Sequence, residues 1–107
     1  MDSNKKMELF KNKDDAQKLL EESRKRIDEI DNSLVDLIHE RTSLAKNIVT
    51  AKVFLGMEIY DENREKIIHA KINKLANEKD IDADILGEIM NMLTILSKNK
   101  QKDILEE

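Results

Sequence analysis

A chain of 107 residues fits a single domain, and domains of this size often gain core by oligomerising. Charged residues make up 39% of the sequence, and the lack of proline together with only two glycines is typical of long amphipathic helices rather than of sheets, which need more turn residues. The net charge of −4 argues against nucleic acid as a partner, and the absence of cysteine excludes disulfides and thiolate metal sites.

The first thirteen residues form a polar leader. We expect residues 1–13 to be flexible, because their few apolar side chains do not define a packed element. No segment has an apolar run long enough for a signal peptide or a membrane span. We therefore expect a cytoplasmic protein without a membrane partner, with a single domain over residues 14–107.

A helical pattern without a breaker extends from about Asp14 to Phe54, and a heptad register fits it. One seam position carries Leu20, Ile27, Leu34, Ile48 and Leu55, and the other carries Ile30, Leu37, Leu44 and Ala51. Arg41 occupies a seam position where leucine is expected. Because a charge is costly there, Arg41 indicates an anion-binding pocket.

The length of this helix predicts a dimer. A helix of about 40 residues spans about 60 Å, roughly twice the width of a small domain, so one chain cannot bury it. A second protomer would cover the remaining stripe, and we infer an intertwined homodimer. Gly56 is the expected residue at which the helix ends.

Two shorter helices follow. Asp61 is the predicted N-cap of a helix from about Glu62 to Lys79, and Asp82 is that of a helix from about Ala83 to Leu105, which contains Gly87. Their predicted buried faces comprise Ile67, Ile68, Ile72, Leu75 and Ala76, and then Ile85, Leu86, Ile89, Met90, Leu93 and Leu96. The fold class is therefore all-α, with three helices per protomer.

Several polar residues are not explained by helix packing. Arg41 and Lys52 lie within about 20° of the same helix face, so two cations could hold one small anion. The alternative is that both side chains extend into water along a solvated edge. Ser97 and Gln101 are four residues apart near the end of the third helix, and in isolation they read as ordinary surface residues.

Three charged residues share a face at the start of the second helix. Asp61, Arg64 and Glu65 fall at positions i, i+3 and i+4. They can contribute to a site, but an N-cap with local ion pairs explains them equally well.

Arg24 lies seventeen residues before Arg41, about 25 Å away on one straight helix. One small ligand cannot touch both residues within a protomer. If the long helices pair antiparallel across a two-fold axis, Arg24 of the partner subunit can approach Arg41 and Lys52. The site would then be shared, and the dimer would be obligatory.

Short motifs connect these residues. Residues 24–31 read R-x-x-I-D-x-I-D, and residues 61–65 read D-x-x-R-E. The pairs Glu40-Arg41 and Leu44-Ala45 lie between them. From about Leu19 to Leu105 the sequence resembles the small all-α chorismate mutases, with Lys52, Ser97 and Gln101 at the positions of that family's lysine, serine and glutamine.

The resemblance implies an intertwined dimer of three-helix protomers, with two sites that are each completed by an arginine from the partner chain. It implies the rearrangement of chorismate to prephenate, on the route to phenylalanine and tyrosine, without a cofactor or a metal. Because the chain ends near Glu107, we expect no fused prephenate dehydratase, dehydrogenase or regulatory domain.

The resemblance also assigns roles to individual residues. Arg24 of the partner subunit and Arg41 would clamp the substrate carboxylates by bidentate hydrogen bonds. Lys52 and Gln101 would donate to the ether oxygen, which gains negative charge as the C–O bond breaks. The predicted catalytic residues are Lys52, Gln101 and Arg41.

Four further residues complete the predicted substrate-binding set. Asp61 and Glu65 would meet the substrate hydroxyl, while Arg64 and Ser97 would order the carboxylate side. A unimolecular rearrangement needs no nucleophile or proton transfer, so the protein has only to hold the reactive conformer and supply preorganised donors.

Two alternatives remain at this stage. An isochorismate-pyruvate lyase of the same fold would share the helices and the cationic clamp, but that branch does not keep both acids, and Asp61 with Glu65 therefore favours the mutase. A non-catalytic helical dimerisation module would fit the composition and periodicity equally well, and only the polar residues distinguish it.

Overall fold

The computed structural model describes residues 12–106, which form α-helices and no strand. The helical segments are α1 (Lys13–Ser43), α2 (Ala45–Leu55), α3 (Glu62–Lys79) and α4 (Ala83–Glu106). The all-helical prediction is confirmed, while most of the predicted leader lies outside the described residues. None of the helices in this range combines the length and apolar character needed to cross a membrane.

The first predicted helix comprises α1 and α2, which are divided at Leu44. Leu44 keeps right-handed helical angles (φ −68°, ψ −12°), but its N–H donates to Arg41 O, three residues back, at 3.3 Å. The Ser43 hydroxyl donates to Glu40 O at 2.6 Å and so competes for the carbonyl that an α-helical Leu44 N–H would use. The three predicted helices are confirmed, with the first interrupted at one residue.

Local capping signals set the ends of α3 and α4. Asp61 Oδ1 accepts a hydrogen bond from Arg64 N at 3.1 Å, and Asp82 Oδ1 accepts one from Ile85 N at 3.0 Å. Each carboxylate satisfies a backbone donor that the first helical turn leaves unpaired. The predicted caps at Asp61 and Asp82 are therefore confirmed.

The two glycines have opposite roles, which a pair of substitutions tests. Gly56 ends α2 in the left-handed conformation (φ 68°, ψ 28°), so Gly56→Ala is expected to lower the free energy of unfolding by about 1 kcal/mol. Gly87 lies within α4, where an added Cβ meets nothing within 4 Å, so Gly87→Ala is expected to raise it by about 0.5–1 kcal/mol. Urea denaturation measures both changes, and shifts of the same sign would contradict these roles.

Contacts within the chain divide it into two compact units, and the boundary in sequence falls between Leu37 and Ile38. In the first unit the seam residues of α1 are largely solvent-exposed, for example Ile27 at 53% and Leu34 at 51%. The division into a leader and one domain over residues 14–107 stays a prediction.

In the second unit, α4 packs against both α2 and α3. The residues buried in this packing are Ala45, Val49, Ile72, Ala76 and Gln101. The predicted buried faces are wrong for Ile67, Ile85, Ile89 and Leu96, which are all about half exposed. Two neighbouring helices cover only one stripe of α4, so its remaining apolar side chains stay exposed in the single chain.

Candidate active site

A cavity of about 460 Å³ in the second unit collects most of the predicted site residues. Seven of the eight line it: Arg41, Lys52, Asp61, Arg64, Glu65, Ser97 and Gln101. Its apolar wall is formed by Leu44, Ile48, Ile59 and Ile68. A mixed lining of this kind, apolar with a few convergent polar groups, is typical of small-molecule sites.

The helix packing explains why these residues converge. The end of α2 carries Lys52, and the start of α3 carries Arg64 and Glu65, only a short connector later. Because both helices pack on α4, these two ends meet the stretch of α4 that carries Ser97 and Gln101. Residues distant in sequence are thereby brought to one cavity.

Lys52 and Gln101 form the centre of a hydrogen-bond network. Lys52 Nζ donates to Ile59 O at 2.5 Å and to Gln101 Oε1 at 3.1 Å, and Gln101 Nε2 donates to Ser97 Oγ at 3.2 Å. The Gln101 oxygen has to face the ammonium group, because its NH₂ would oppose a second donor. Gln101 is only 3% exposed, so this orientation is held by packing as well as by hydrogen bonds.

The network leaves donors in reserve. An ammonium group carries three N–H donors and an amide NH₂ carries two. The hydrogen bonds above engage two donors of Lys52 and one of Gln101. Among residues 12–106, one N–H of each group therefore has no hydrogen-bond partner and is available to a ligand.

Arg41 lies at the cavity because its guanidinium is anchored to α4. Its NH1 donates to Leu93 O at 3.1 Å, in a half-buried position. A guanidinium has five N–H donors in a planar fork, so most of them remain for a carboxylate ligand. The charge that interrupts the heptad seam thus belongs to the lining of the cavity.

The acidic residues have structural partners of their own. Asp61 caps α3, as described above, and also lines the cavity. Glu65 Oε1 forms an ion pair with Lys98 Nζ, and the two side chains are 30% and 26% exposed. The interpretation of Asp61 as a helix cap is confirmed.

Lys98 and Thr94 line the cavity but were not predicted from the sequence. They share a face of α4 with Ser97 and Gln101, since positions 94, 97, 98 and 101 follow the i, i+3, i+4, i+7 spacing. Projecting this helical face from the two predicted residues would have found both. Lys98 Nζ also lies 4.7 Å from the centroid of the Tyr60 ring, within the range of a cation–π interaction.

The cavity is cationic although the chain is acidic. Four cations line it, namely Arg41, Lys52, Arg64 and Lys98, against the carboxylates of Asp61 and Glu65, which gives a formal charge of +2. Its chemistry favours a small anion that also presents a hydroxyl group. Among residues 12–106, no three potential metal-ligand side chains of His, Cys, Asp or Glu cluster together.

Arg24 does not line the cavity. It lies on α1 in the first unit and is exposed in the single chain. Its predicted contribution through a partner subunit therefore stays a prediction.

Comparison with known proteins identifies the family. The family model described as chorismate mutase type II matches residues 23–102. A chorismate mutase from Methanocaldococcus jannaschii is 47% identical over 88 residues, which cover 82% of this chain and 89% of that relative. A bifunctional chorismate mutase/prephenate dehydratase from Buchnera aphidicola subsp. Schizaphis graminum is 27% identical over 84 residues, or 78% of this chain and 22% of the relative's length.

A solved structure gives the same result. It is described as the NMR structure of monomeric chorismate mutase from Methanococcus jannaschii, and it is 42% identical to this chain with a TM-score of 0.62. The similarity covers 81% of this chain and 91% of that one. On the family match, the sequence identity and the shared helical fold, the chain belongs to the chorismate mutase type II family.

Proposed function

We propose that this chain catalyses the rearrangement of chorismate to prephenate, on the route to phenylalanine and tyrosine. The observation that carries this proposal is the cationic cavity in which Lys52 and Gln101 each retain one free donor. Membership of the chorismate mutase type II family supports it. The cytoplasmic location and the lack of a cofactor stay sequence-based predictions.

The substrate is a dianion, and the arginines bind it. Arg41 receives one carboxylate through the N–H groups that its bond to Leu93 O leaves free. Arg64 and Ser97, which also line the cavity, order the carboxylate side. Two fixed anchors select the compact conformer in which the atoms that form the new C–C bond are close together.

The donors then act on the breaking bond. The rearrangement forms a C–C bond while the ether C–O bond breaks, and negative charge develops on the ether oxygen. The free N–H groups of Lys52 and Gln101 donate to that oxygen and stabilise the transition state more than the ground state. Because both groups are already held by Ile59 O and Ser97 Oγ, no reorganisation is needed during the reaction.

The acids receive the substrate hydroxyl. Asp61 and Glu65 both line the cavity, one at the N-cap and the other in the first turn of α3. An ionised carboxylate only accepts hydrogen bonds, so each of these acids pairs with a hydroxyl donor and repels a carboxylate of the substrate. These acids thus orient a substrate that carries two carboxylates and one alcohol.

We also propose that the active protein is an intertwined homodimer in which Arg24 of the partner subunit completes each cavity. The seam of α1 supports this, since Leu20, Ile27 and Leu34 are each about half exposed in the single chain. Burying such a stripe against a second copy is favourable at roughly 25 cal/mol per Å². One solved relative is described as monomeric, and the mass of this protein in solution tests the proposed dimer.

Assays with two substrates test the proposed reaction. The purified protein is expected to convert chorismate to prephenate and to release no pyruvate from isochorismate. The physical reason is that Asp61 and Glu65 are placed to hold the hydroxyl of the mutase substrate. Pyruvate release without prephenate would identify a lyase instead, and inactivity on both substrates would favour a non-catalytic helical module.

A further inference from the structure

Among the four cations that line the cavity, Lys98 is the one that was not predicted from the sequence. Its Nζ lies between the Glu65 carboxylate, with which it forms an ion pair, and the ring of Tyr60, whose centroid is 4.7 Å away. The Lys98 side chain is 26% exposed, well below that of the lysine in the exposed Lys66–Glu62 pair at 73%. Lys98 therefore occupies a defined position rather than a solvated surface.

We propose that Lys98 is a positioning residue for the rearrangement. Lys98 compensates the charge of Glu65 and orients its carboxylate, so that an acidic residue is tolerated in a site that binds a dianion. The inference rests on the proposed function. Without a compensating cation, the Glu65 carboxylate would repel the carboxylates of the substrate.

The charges of the cavity show why a partner is needed. Asp61 is compensated at the N-terminus of α3, where its Oδ1 accepts from Arg64 N. Glu65 lies one turn further on, and Lys98 is its ion-pair partner among the described residues. Without Lys98 the formal charge of the lining falls from +2 to +1, and Glu65 faces the substrate carboxylates in a partly desolvated site.

The pair also distinguishes the two oxygens of Glu65. Oε1 forms the ion pair with Lys98, and the proposed acceptor of the substrate hydroxyl is the second carboxylate oxygen. Tyr60 limits the movement of the Lys98 ammonium through its ring face. The arrangement holds Glu65 in one orientation before the substrate arrives, and this lowers the cost of binding.

Steady-state kinetics of Lys98 variants test this role. Lys98→Met keeps the aliphatic stem and removes the charge. It is expected to raise KM for chorismate about tenfold, with a smaller change in kcat. A tenfold change lies between the effects of losing an exposed ion pair and losing a buried one. Lys98→Arg restores the charge and is expected to keep KM within about threefold of the wild type. Lys100→Met, an exposed lysine of the same helix outside the cavity, is the matched control and should leave KM unchanged.

The Glu65→Gln background separates the electrostatic role from a packing role. Glutamine keeps an oxygen that accepts the hydroxyl but carries no charge, so adding Lys98→Met there should change KM less than about twofold. An equal tenfold rise in both backgrounds would show that Lys98 acts independently of Glu65, and an unchanged KM in Lys98→Met would show that it has no role. Either result overturns the inference.

Two controls keep the outcome interpretable. Circular dichroism establishes that each variant is folded, and Lys98→Gln replaces Lys98→Met if the latter is not; the same tenfold rise in KM is expected. A wild-type protein without mutase activity would defeat the proposed function itself, whereas an active wild type with insensitive Lys98 variants would defeat only the role of Lys98.

Discussion

Replacing Lys52 with alanine is expected to lower kcat/KM for chorismate by about 10³-fold, the upper range for loss of one preorganised donor. Lys52 supplies a full charge as well as the N–H that its bonds to Ile59 O and Gln101 Oε1 leave free. The loss should appear mainly in kcat, since the ether oxygen carries its charge only in the transition state. Initial rates of chorismate consumption over a range of concentrations measure it.

The companion substitution and its control sharpen this result. Gln101→Ala is expected to lower kcat/KM by about 10²-fold, less than Lys52→Ala, because an uncharged donor stabilises a developing negative charge less than an ammonium does. Lys46→Ala changes an exposed lysine of α2 that does not line the cavity, and it should leave kcat/KM unchanged. Undiminished turnover in a folded Lys52→Ala protein would exclude the proposed donor.

The second large effect concerns Arg24 and Arg41 in mixed dimers. Arg24→Ala and Arg41→Ala are each expected to lower kcat/KM by about 10²-fold or more, because each removes a charge-assisted clamp on a carboxylate. Mixing the two inactive proteins should restore activity. In a heterodimer one site combines an intact Arg41 with the intact Arg24 of the partner subunit, whereas the other site has lost both.

The size of the recovery is set by statistics. Random re-pairing of equal amounts makes about half of the dimers mixed, so about a quarter of all sites should be intact. Light scattering on the wild type should give twice the chain mass of 12.5 kDa. A monomeric but active wild type, or no recovery after subunit exchange has been shown, would contradict a site shared between chains.

The elements with local signals were predicted closely from sequence. Asp61, Asp82 and Gly56 act through bonds within a few residues of themselves, so a short window of sequence contains the whole cause. The break at Leu44 was missed because it depends on the Ser43 hydroxyl bonding to a carbonyl that the helix also needs. The spacing of apolar residues contains no information about that competition.

Burial was predicted less well than helix position. The apolar faces of α3 and α4 were inferred from spacing, yet Ile67 and Ile89 are more than half exposed in the single chain. Spacing shows that a face is apolar, but what covers the face depends on the number of packing partners. In the proposed dimer, the second copy is the additional packing partner.

The residues of the site were predicted more completely than the contacts that hold them. Seven residues that the family resemblance names line one cavity, because α2 and α3 both pack on α4. Lys98 was missed because its partners, Glu65 and Tyr60, come from other parts of the chain and meet it only in the folded protein. Arg41 was found as a misplaced charge, but its anchor, Leu93 O, required the structure.

The most direct test is a proton NMR time course of chorismate with the wild-type protein and, in parallel, with Lys52→Ala. The wild type is expected to convert chorismate to prephenate one for one, and the variant is expected to do so about 10³-fold more slowly. Products other than prephenate, or equal rates for the two proteins, would contradict the account of a cationic cavity that catalyses this rearrangement.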